Sequence, residues 1–226
     1  MENPTTKSRA RELACRVLVY CLGLFILTLG ITLAVNTRMG LSAGGAFPYV
    51  LSLMTGLTFG TCFIIVYGSY VLVQWLLLGR AFGKINVLQL GVALMFGRFT
   101  DFWVWVIGDA GASSYAGRLI LLLLSICVAG FGLAVYLSAE LIPSPIDGLS
   151  LAVAKRLGWP FYKGKTAVDC SSSGLGIVLS LLFLGHLAGI REGTVLSAAL
   201  TGKMIHLFSH VVDPVVDRLW TRKGKA

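Results

Sequence analysis

Charge is scarce in this sequence, and motifs of soluble enzymes are absent. Only 13% of the 226 residues are charged and 56% are hydrophobic, with a mean hydropathy of +0.83. Soluble domains carry about 25% charged and about 45–50% apolar residues, so a soluble class is excluded. The sequence contains no H-E-x-x-H, Walker lysine loop or G-x-S-x-G motif. We therefore expect no enzyme, no catalytic residues, no cofactor and no ATP-driven motor within the chain.

Residues that bind metals are also few. The five cysteines form no C-x-x-C pair, which argues against a disulfide framework or a zinc site. His206, His210, Asp213 and Asp217 are spaced for one face of a helix. Pro214 is expected to break that helix, because proline removes a backbone donor. The sequence therefore predicts no metal site.

Long apolar stretches make up most of the chain. Stretches of about 18 or more apolar residues are typical of helices that cross a bilayer. The first stretch follows basic residues, as in a signal peptide, but its length and its counterpart later in the chain favour a mature helix. The predicted spans are about 17–35, 59–78, 86–107, 119–139, 166–185 and 194–212. They indicate an all-α membrane protein whose first partner is the lipid bilayer.

The net charge of +9 is distributed unevenly among the segments that connect these spans. If the N-terminus is cytoplasmic, 14 of the 19 Lys and Arg residues fall on that side and three on the other, with Arg98 and Lys203 inside spans. This bias follows the positive-inside rule and does not indicate a nucleic-acid interface. It predicts six spans, both termini in the cytoplasm and no nucleic-acid partner.

The second half of the chain repeats the first. Residues 29–33 match residues 131–135 at an offset of 102, and residues 88–101 match residues 193–206 at an offset of 105. Because three spans are an odd number, two copies of them must cross the membrane in opposite directions. We predict two inverted three-helix repeats, the architecture of many secondary transporters. The expected segments are a tail at 1–16, repeats at 17–107 and 119–212, a connector at 108–118 and a basic tail at 213–226.

Each repeat contains a glycine-rich or proline-rich break after its first span. A short helix follows each break, at about 45–57 and 147–158, and closes at a glycine. A helix of about ten residues covers about half a bilayer core. Broken short helices at equivalent places in two repeats indicate the substrate site of a transporter. The alternative is a pair of amphipathic helices on the membrane surfaces, and the sequence leaves both re-entrant and interfacial helices open.

A succession of short motifs runs through residues 15–210. In order they are Phe47-Pro48-Tyr49-Val50-Leu51-Ser52, Leu57-Thr58-Phe59-Gly60-Thr61, Leu88-Gln89…Phe96-Gly97…Asp101, Gly164-Lys165…Asp169 and Arg191-Glu192-Gly193-Thr194-Val195. Together they resemble the YczE/YyaS/YitT-type integral membrane proteins of bacteria. The resemblance implies a multi-pass protein of the bacterial inner membrane and names no substrate. The chain departs from the family pattern at 41–45, where relatives tend to carry a G-T-S-P-like element.

Ionisable side chains inside spans are candidates for solute binding, because each costs about 2.5–3.5 kcal/mol at a helix centre. Arg98 and Lys203 occupy equivalent positions in the two repeats, and so do Asp101 and His206. Within each helix the two positions are three residues apart and share a face. They are expected to form a site for an anionic solute. The alternative is that Arg98 and Asp101 pair with each other and brace their helix.

Three further candidates for solute binding lie elsewhere in the chain. Asp169 either faces a polar cavity or pairs with Lys165, four residues earlier. Asp147 either caps the second short helix or contacts a solute. Gln89 is a candidate for solute contact and, as an uncharged polar residue in a span, for hydrogen bonds between helices.

The repeats and the breaks favour a secondary transporter or exporter of a small solute, working by alternating access and either passive or coupled to an ion. The alternative is a non-transporting membrane accessory protein that supports a biosynthetic or secretion system. Glycine-rich faces on the spans allow close packing of helices within one chain or between the subunits of a homo-oligomer. They do not separate the two functions.

Overall fold

The computed structural model describes residues 6–219, which form eight α-helices and no β-strand. Six helices are long and apolar enough to cross a membrane, which confirms the all-α class and the number of spans. The helices are α1 (Thr6–Thr37), α2 (Ala43–Thr55), α3 (Phe59–Leu78), α4 (Lys84–Ile107), α5 (Tyr115–Ser138), α6 (Pro145–Leu157), α7 (Phe161–Leu179, continued by a π-turn Ser180–Leu184) and α8 (Glu192–Leu219). The tail residues Arg222, Lys223 and Lys225 lie outside the described part of the chain.

Several helix boundaries differ from the sequence-based expectation, among them the start of α1 at Thr6, inside the expected tail 1–16. The second short helix begins at Pro145, because the hydroxyl of Ser144 accepts the backbone N–H of Asp147 and caps the helix. Asp147 therefore lies inside the first turn and is not the cap. The last helix does not stop at Pro214 but runs on to Leu219. A proline removes one backbone hydrogen bond, and helices in membrane proteins tolerate that loss when the remaining turns are intact.

The breaks after α1 and α5 have the same backbone design. Arg38 and Glu140 are 102 residues apart and have φ angles of 55° and 49°, the left-handed conformation that turns a chain out of a helix. Among residues 6–219, they are the two non-glycine residues with positive φ. Ser42 and Ser144 then precede short helices of 13 residues each, and each short helix ends at a left-handed glycine.

The helices α1 and α5 pack closely and run antiparallel. A Cβ on Gly30 would lie 2.5 Å from the backbone nitrogen of Ala129, and a Cβ on Gly132 would meet the backbone nitrogen of Leu27. Along this contact the residue number rises in one helix while it falls in the other, which defines the antiparallel direction. The two contacts are equivalent, since Gly132 and Ala129 follow Gly30 and Leu27 by 102 residues. Glycine allows this approach, as at many interfaces between membrane helices.

Hydrogen bonds define two ends of the bundle. The side chain of Asn36, near the end of α1, donates to the carbonyl of Gly108 after α4. We name this the Arg38 end. The α3–α4 and α6–α7 turns lie at the opposite end of the bundle, because α3, α4 and α7 each extend one span from the Arg38 end to these turns. We name this opposite end the Lys155 end. The described basic residues in these turns and in the helix ends beside them are Arg80, Lys84, Lys155, Arg156 and Lys163.

Aromatic residues of α3 form the centre of the buried core. Phe63, Tyr67 and Tyr70 are buried, and the rings of Phe63 and Phe96 of α4 have centroids 4.8 Å apart. The short helices complete this core, with α2 packed on α7 and α6 packed on α3. In contrast, α8 packs mainly on α5 and most of its surface is exposed.

Candidate functional site

The starts of the two short helices meet between α3 and α7. A Cβ on Gly44, in the first turn of α2, would lie 3.7 Å from Ile146 Cδ1, in the first turn of α6. The same position is 3.7 Å from the hydroxyl of Tyr67 on α3. Gly44 and Ile146 are 102 residues apart, so equivalent residues of the two halves lie beside each other. We name the region around this contact, bounded by α2, α3, α6 and α7, the junction.

An ion-paired cluster lies beside the junction. Lys165 Nζ is 3.0 Å from Asp147 Oδ1 and 3.1 Å from Asp169 Oδ1, and the three side chains are 28–33% exposed. Asp147 Oδ2 also accepts a hydrogen bond from the hydroxyl of Ser144 at 2.7 Å. The expected pair of Lys165 and Asp169 is therefore present, and Asp147 adds a second carboxylate. Two carboxylates share one ammonium, which leaves the cluster with one excess negative charge.

A chain of hydroxyl groups connects α3, α7 and α2 at the junction. The hydroxyl of Ser172 donates to the carbonyl of Ala43 at 3.3 Å. Because this hydroxyl has a single proton, Tyr70, whose oxygen is 2.8 Å away, must donate to Ser172. Asp169 lies one turn before Ser172 on the same face of α7. Its carboxylate is therefore about one helical turn from the start of α2.

Buried amides hold the start of α6 from the opposite side. Gln74 Nε2 donates to Gln89 Oε1 at 2.8 Å and to the carbonyl of Pro145 at 3.1 Å. Asn86 donates to Gln74 Oε1 at 3.1 Å. Gly148 leaves room for these amides, since a Cβ there would meet the amide group of Gln89. Gln89 is 1% exposed and joins α4 to α3 and, through Gln74, to α6.

Asp101 caps a neighbouring helix at the Arg38 end. Its Oδ1 accepts the backbone N–H of Gly60 at 2.8 Å, and its Oδ2 accepts the hydroxyl of Thr58 at 3.0 Å. A carboxylate at this position satisfies an unpaired N–H group and complements the positive end of the α3 dipole. In the described part of the chain, no ion pair joins Asp101 to Arg98. Asp101 therefore braces α4 against α3 rather than pairing within its own helix.

The other three residues of the duplicated polar face lie on outer surfaces. Arg98, Lys203 and His206 are exposed, and none forms an ion pair among the described side chains. His206 contacts His210, with their Nε2 atoms 3.3 Å apart. No cluster of three His, Cys, Asp or Glu side chains in the described residues could hold a metal ion. The structure thus does not bring the four equivalent residues into one site.

Backbone hydrogen bonds close the Arg38 end beside α2. Leu41 donates to the carbonyl of Gly189, and Gly193 donates to the carbonyl of Met39, both at 2.9 Å. A Cβ on Gly193 would lie 2.7 Å from that carbonyl, so glycine is needed for this approach. Met39 and Leu41 are 3% and 2% exposed. We name this contact between the α1–α2 break and the start of α8 the seam.

The equivalent break in the second half lines an open cavity. This cavity at the Lys155 end has a volume of about 210 Å³ and is lined mainly by residues 140–143. The hydroxyls of Tyr20 and Tyr136 donate to the carbonyl of Ile142 at 2.9 and 3.0 Å and hold the break against α1 and α5. Residues 140–143 follow residues 38–41 by 102. Equivalent segments are therefore sealed at one end of the bundle and open at the other.

Two features of the junction were not predicted from the sequence. The pair of Lys165 and Asp169 was one of the two alternatives from the sequence, but Lys165 also reaches Asp147, 18 residues earlier. No spacing rule predicts that contact, because it depends on how α6 packs on α7. Tyr67 was not singled out either, although it precedes Asp169 by the repeat offset of 102. That offset was the signal by which it could have been found.

Comparisons with known proteins give relatives of uncharacterised activity. The chain is 32% identical over 196 residues to the "Uncharacterized membrane protein YczE" of Bacillus subtilis, covering 86% of each chain. It is 28% identical over 211 residues to the "Uncharacterized protein YyaS" of the same organism, covering 93% of this chain and 98% of that protein. An "Uncharacterized protein" of Haemophilus influenzae is 27% identical over 177 residues, which cover 76% of this chain and 75% of that protein.

These matches confirm the resemblance to YczE and YyaS and agree with the six apolar helices. No solved structure matches the chain significantly. One family model matches residues 14–210, nearly the whole of the described chain. The protein is a multi-pass membrane protein, and it belongs to the Family of unknown function (DUF6198).

Proposed function

We propose that the protein is a secondary transporter that moves a small solute across the membrane by alternating access. The observation that carries this proposal is the contact between equivalent residues at the junction. The Ile146 side chain lies beside Gly44, Tyr70 bonds to Ser172, and the members of each pair are 102 residues apart. A residue meets its own equivalent only near a two-fold axis that relates the halves. Because α1 and α5 are antiparallel, that axis lies in the membrane plane, as in inverted-repeat transporters.

In this proposal the short helices are re-entrant. A helix of 13 residues is about 20 Å long, enough to reach from one membrane surface to the middle. Backbone that is not helical is tolerated at that depth where protein or a water-filled cavity surrounds it. The packing of α2 on α7 and of α6 on α3 supplies such surroundings. Two helices lying on opposite membrane surfaces would keep Gly44 and Ile146 apart.

The two halves differ in the way that alternating access requires. The seam closes the Arg38 end, while the cavity beside residues 140–143 opens at the Lys155 end. If the halves exchange conformations, residues 140–143 become sealed and the seam opens. Basic turns mark the Lys155 end as the cytoplasmic side by the positive-inside rule. We therefore assign this conformation to an inward-facing state of a bacterial inner-membrane protein with cytoplasmic termini.

The source of driving force in this proposal is an ion gradient or the solute gradient itself. The sequence has no ATP-binding motif, which is the basis for excluding a built-in motor. The cluster of Asp147, Lys165 and Asp169 is the cation-binding site that the geometry favours, for a coupling ion or for a cationic group of the solute, because it is partly exposed and carries one excess negative charge. Arg98 and Lys203 lie on outer surfaces and do not determine the charge of the solute.

A matched pair of cysteine variants tests alternating access without knowledge of the solute. Met39→Cys lies buried in the seam, and the repeat-equivalent Leu141→Cys is partly exposed and lines the cavity. In a chain freed of its native cysteines, a membrane-impermeant maleimide should label Leu141→Cys from the Lys155 side. It should label Met39→Cys from the Arg38 side, and more slowly. Leu24→Cys, from the 0% exposed centre of α1, is the unlabelled control. A Met39→Cys protein that is labelled only after denaturation would indicate a static accessory protein.

A further inference from the structure

The unpaired polar groups of the junction indicate the class of solute, and this inference rests on the proposed function. We propose that the junction binds a small zwitterion, in which an ammonium and a carboxylate group lie close together as in an α-amino acid. The start of α2 takes the carboxylate, Asp169 takes the ammonium, and the hydroxyl of Tyr67 contacts the solute between them.

The start of α2 offers two backbone donors. The side chain of Ser42 does not cap α2, whereas the equivalent Ser144 caps α6. The first backbone donor of α2 with a partner is Gly45, which bonds to the carbonyl of Ser42. In the part of the chain that the structure describes, the N–H groups of Ala43 and Gly44 therefore have no hydrogen-bond partner. Both residues are partly exposed, and the N-terminus of a helix binds carboxylates through such groups.

Asp169 offers the acceptor on the opposite side. Lys165 donates to its Oδ1, and no described residue donates to its Oδ2. Asp147, in contrast, uses both oxygens, because it accepts from Lys165 and from Ser144. The excess negative charge of the cluster is costly inside a bilayer without a further cation. The ammonium group of the solute supplies that charge.

Tyr67 is independent evidence for a ligand at this place. The residue is 4% exposed, and its hydroxyl forms no hydrogen bond with any residue described. Since no fully buried side-chain oxygen or nitrogen in the described residues lacks a partner, this hydroxyl must reach accessible space, whereas most tyrosine hydroxyls of buried residues bond to the protein. The hydroxyl lies beside Gly44 and within electrostatic range of Asp147 and Asp169. One turn further along α3, the hydroxyl of Tyr70 is hydrogen-bonded. Tyr67 thus presents a free donor and acceptor where the two charged sides meet.

The spacing and the charges together favour a zwitterion over a simple ion. Ser172 bonds to Ala43, and Asp169 is three residues before Ser172 on α7, a Cβ separation of about 5–6 Å. A molecule with both charged groups on one carbon can bond at each side of such a gap. A simple anion would add negative charge beside Asp169. A simple cation would leave the N–H groups of α2 unpaired.

Thermal unfolding of the purified full chain in detergent tests the solute class. The probes are the standard amino acids, and each one that binds is compared with its amide, which lacks the carboxylate, and with its deaminated acid. We expect at least one amino acid to raise the Tm in a concentration-dependent way, as a ligand of the native state does. The amide and the acid should each bind at least about tenfold more weakly than the amino acid, because each loses a charged hydrogen bond. If no amino acid raises the Tm, or if the amide or the acid binds equally well, the inference is wrong.

Two matched variants assign the binding to the junction. Tyr67→Phe removes a hydroxyl without a partner, so the Tm without solute should stay unchanged while affinity falls about tenfold. Tyr20→Phe removes a hydroxyl that bonds to the carbonyl of Ile142, away from the junction, so the Tm should fall while affinity is retained. Equal affinity in Tyr67→Phe and the native chain would overturn the assignment. Alternating cysteine access without amino-acid binding would refute this inference alone, and binding in a static protein would refute transport alone.

Discussion

The close contact between α1 and α5 allows a quantitative test of the packing. Gly30→Ala adds one methyl group at a point where its Cβ would lie 2.5 Å from the backbone nitrogen of Ala129. Backbone cannot rotate away as a flexible side chain can. Ordinary contacts begin near 3.4 Å, so the two helices must separate by about 1 Å at this crossing.

The expected loss follows from two opposing terms. Overpacking costs about 1–3 kcal/mol. Alanine improves on glycine in a helix by about 1 kcal/mol. Gly30→Ala should therefore lower the free energy of unfolding by about 1 kcal/mol. Gly91→Ala in α4 is the matched control, because a Cβ there has nothing within 4 Å and only the favourable helix term applies. The two variants should differ by about 2 kcal/mol.

Unfolding in mixed detergent micelles, followed by tryptophan fluorescence, measures this difference. Gly132→Ala makes the equivalent contact on Leu27 and should cost about as much as Gly30→Ala. The double variant should cost less than the sum, since one separation of the helices relieves both contacts. A Gly30→Ala protein as stable as the Gly91→Ala protein would refute the close packing of α1 on α5 at this crossing.

Three further predictions concern topology and the buried polar groups. Reporter fusions at Ala112 should read the outer face and fusions at Lys163 the cytoplasm, and a cytoplasmic reading at Ala112 would contradict six spans with cytoplasmic termini. Asp101→Ala should lower the free energy of unfolding by about 1–2 kcal/mol through loss of its hydrogen bonds to the start of α3, whereas Arg98→Ala should change it by less than about 0.5 kcal/mol. A larger loss of stability in Arg98→Ala than in Asp101→Ala would show that Arg98, and not Asp101, bonds to the neighbouring helix. Gln89→Leu should cost about 1–3 kcal/mol in the same assay, because it leaves buried amide groups unpaired, and an unchanged stability would contradict the amide network.

Local sequence determined the helices and the breaks between them. Apolar runs long enough to cross a bilayer predicted the six spans, because a backbone in lipid satisfies its polar groups by forming helices. The ends of the two short helices were also predictable from the sequence. Gly56 and Gly158 end them because glycine adopts the left-handed conformation without steric cost. The offset of 102 between residues 29–33 and 131–135 also separates the residues that flank the short helices, Ser42 from Ser144 and Gly56 from Gly158.

Contacts between helices determined which polar residues meet. Arg98 and Asp101 share a helix face by spacing, yet Asp101 bonds to the start of α3 and Arg98 is exposed. Spacing did predict Lys165 with Asp169, but Asp147 joins them only because α6 folds back on α7. The partner of a charged side chain depends on every helix packed around it, and the pattern within one helix does not contain that information.

The difference between the two breaks was likewise decided by tertiary structure. Residues 38–41 and 140–143 have equivalent backbone designs, and their sequences do not indicate which one is sealed. The connector 185–191 brings Gly189 to the first break and forms the seam. The α3–α4 turn at 79–83 is shorter, and the second break lines a cavity instead. An equivalent segment is open or closed according to which neighbouring loop reaches it, and only the folded chain determines that.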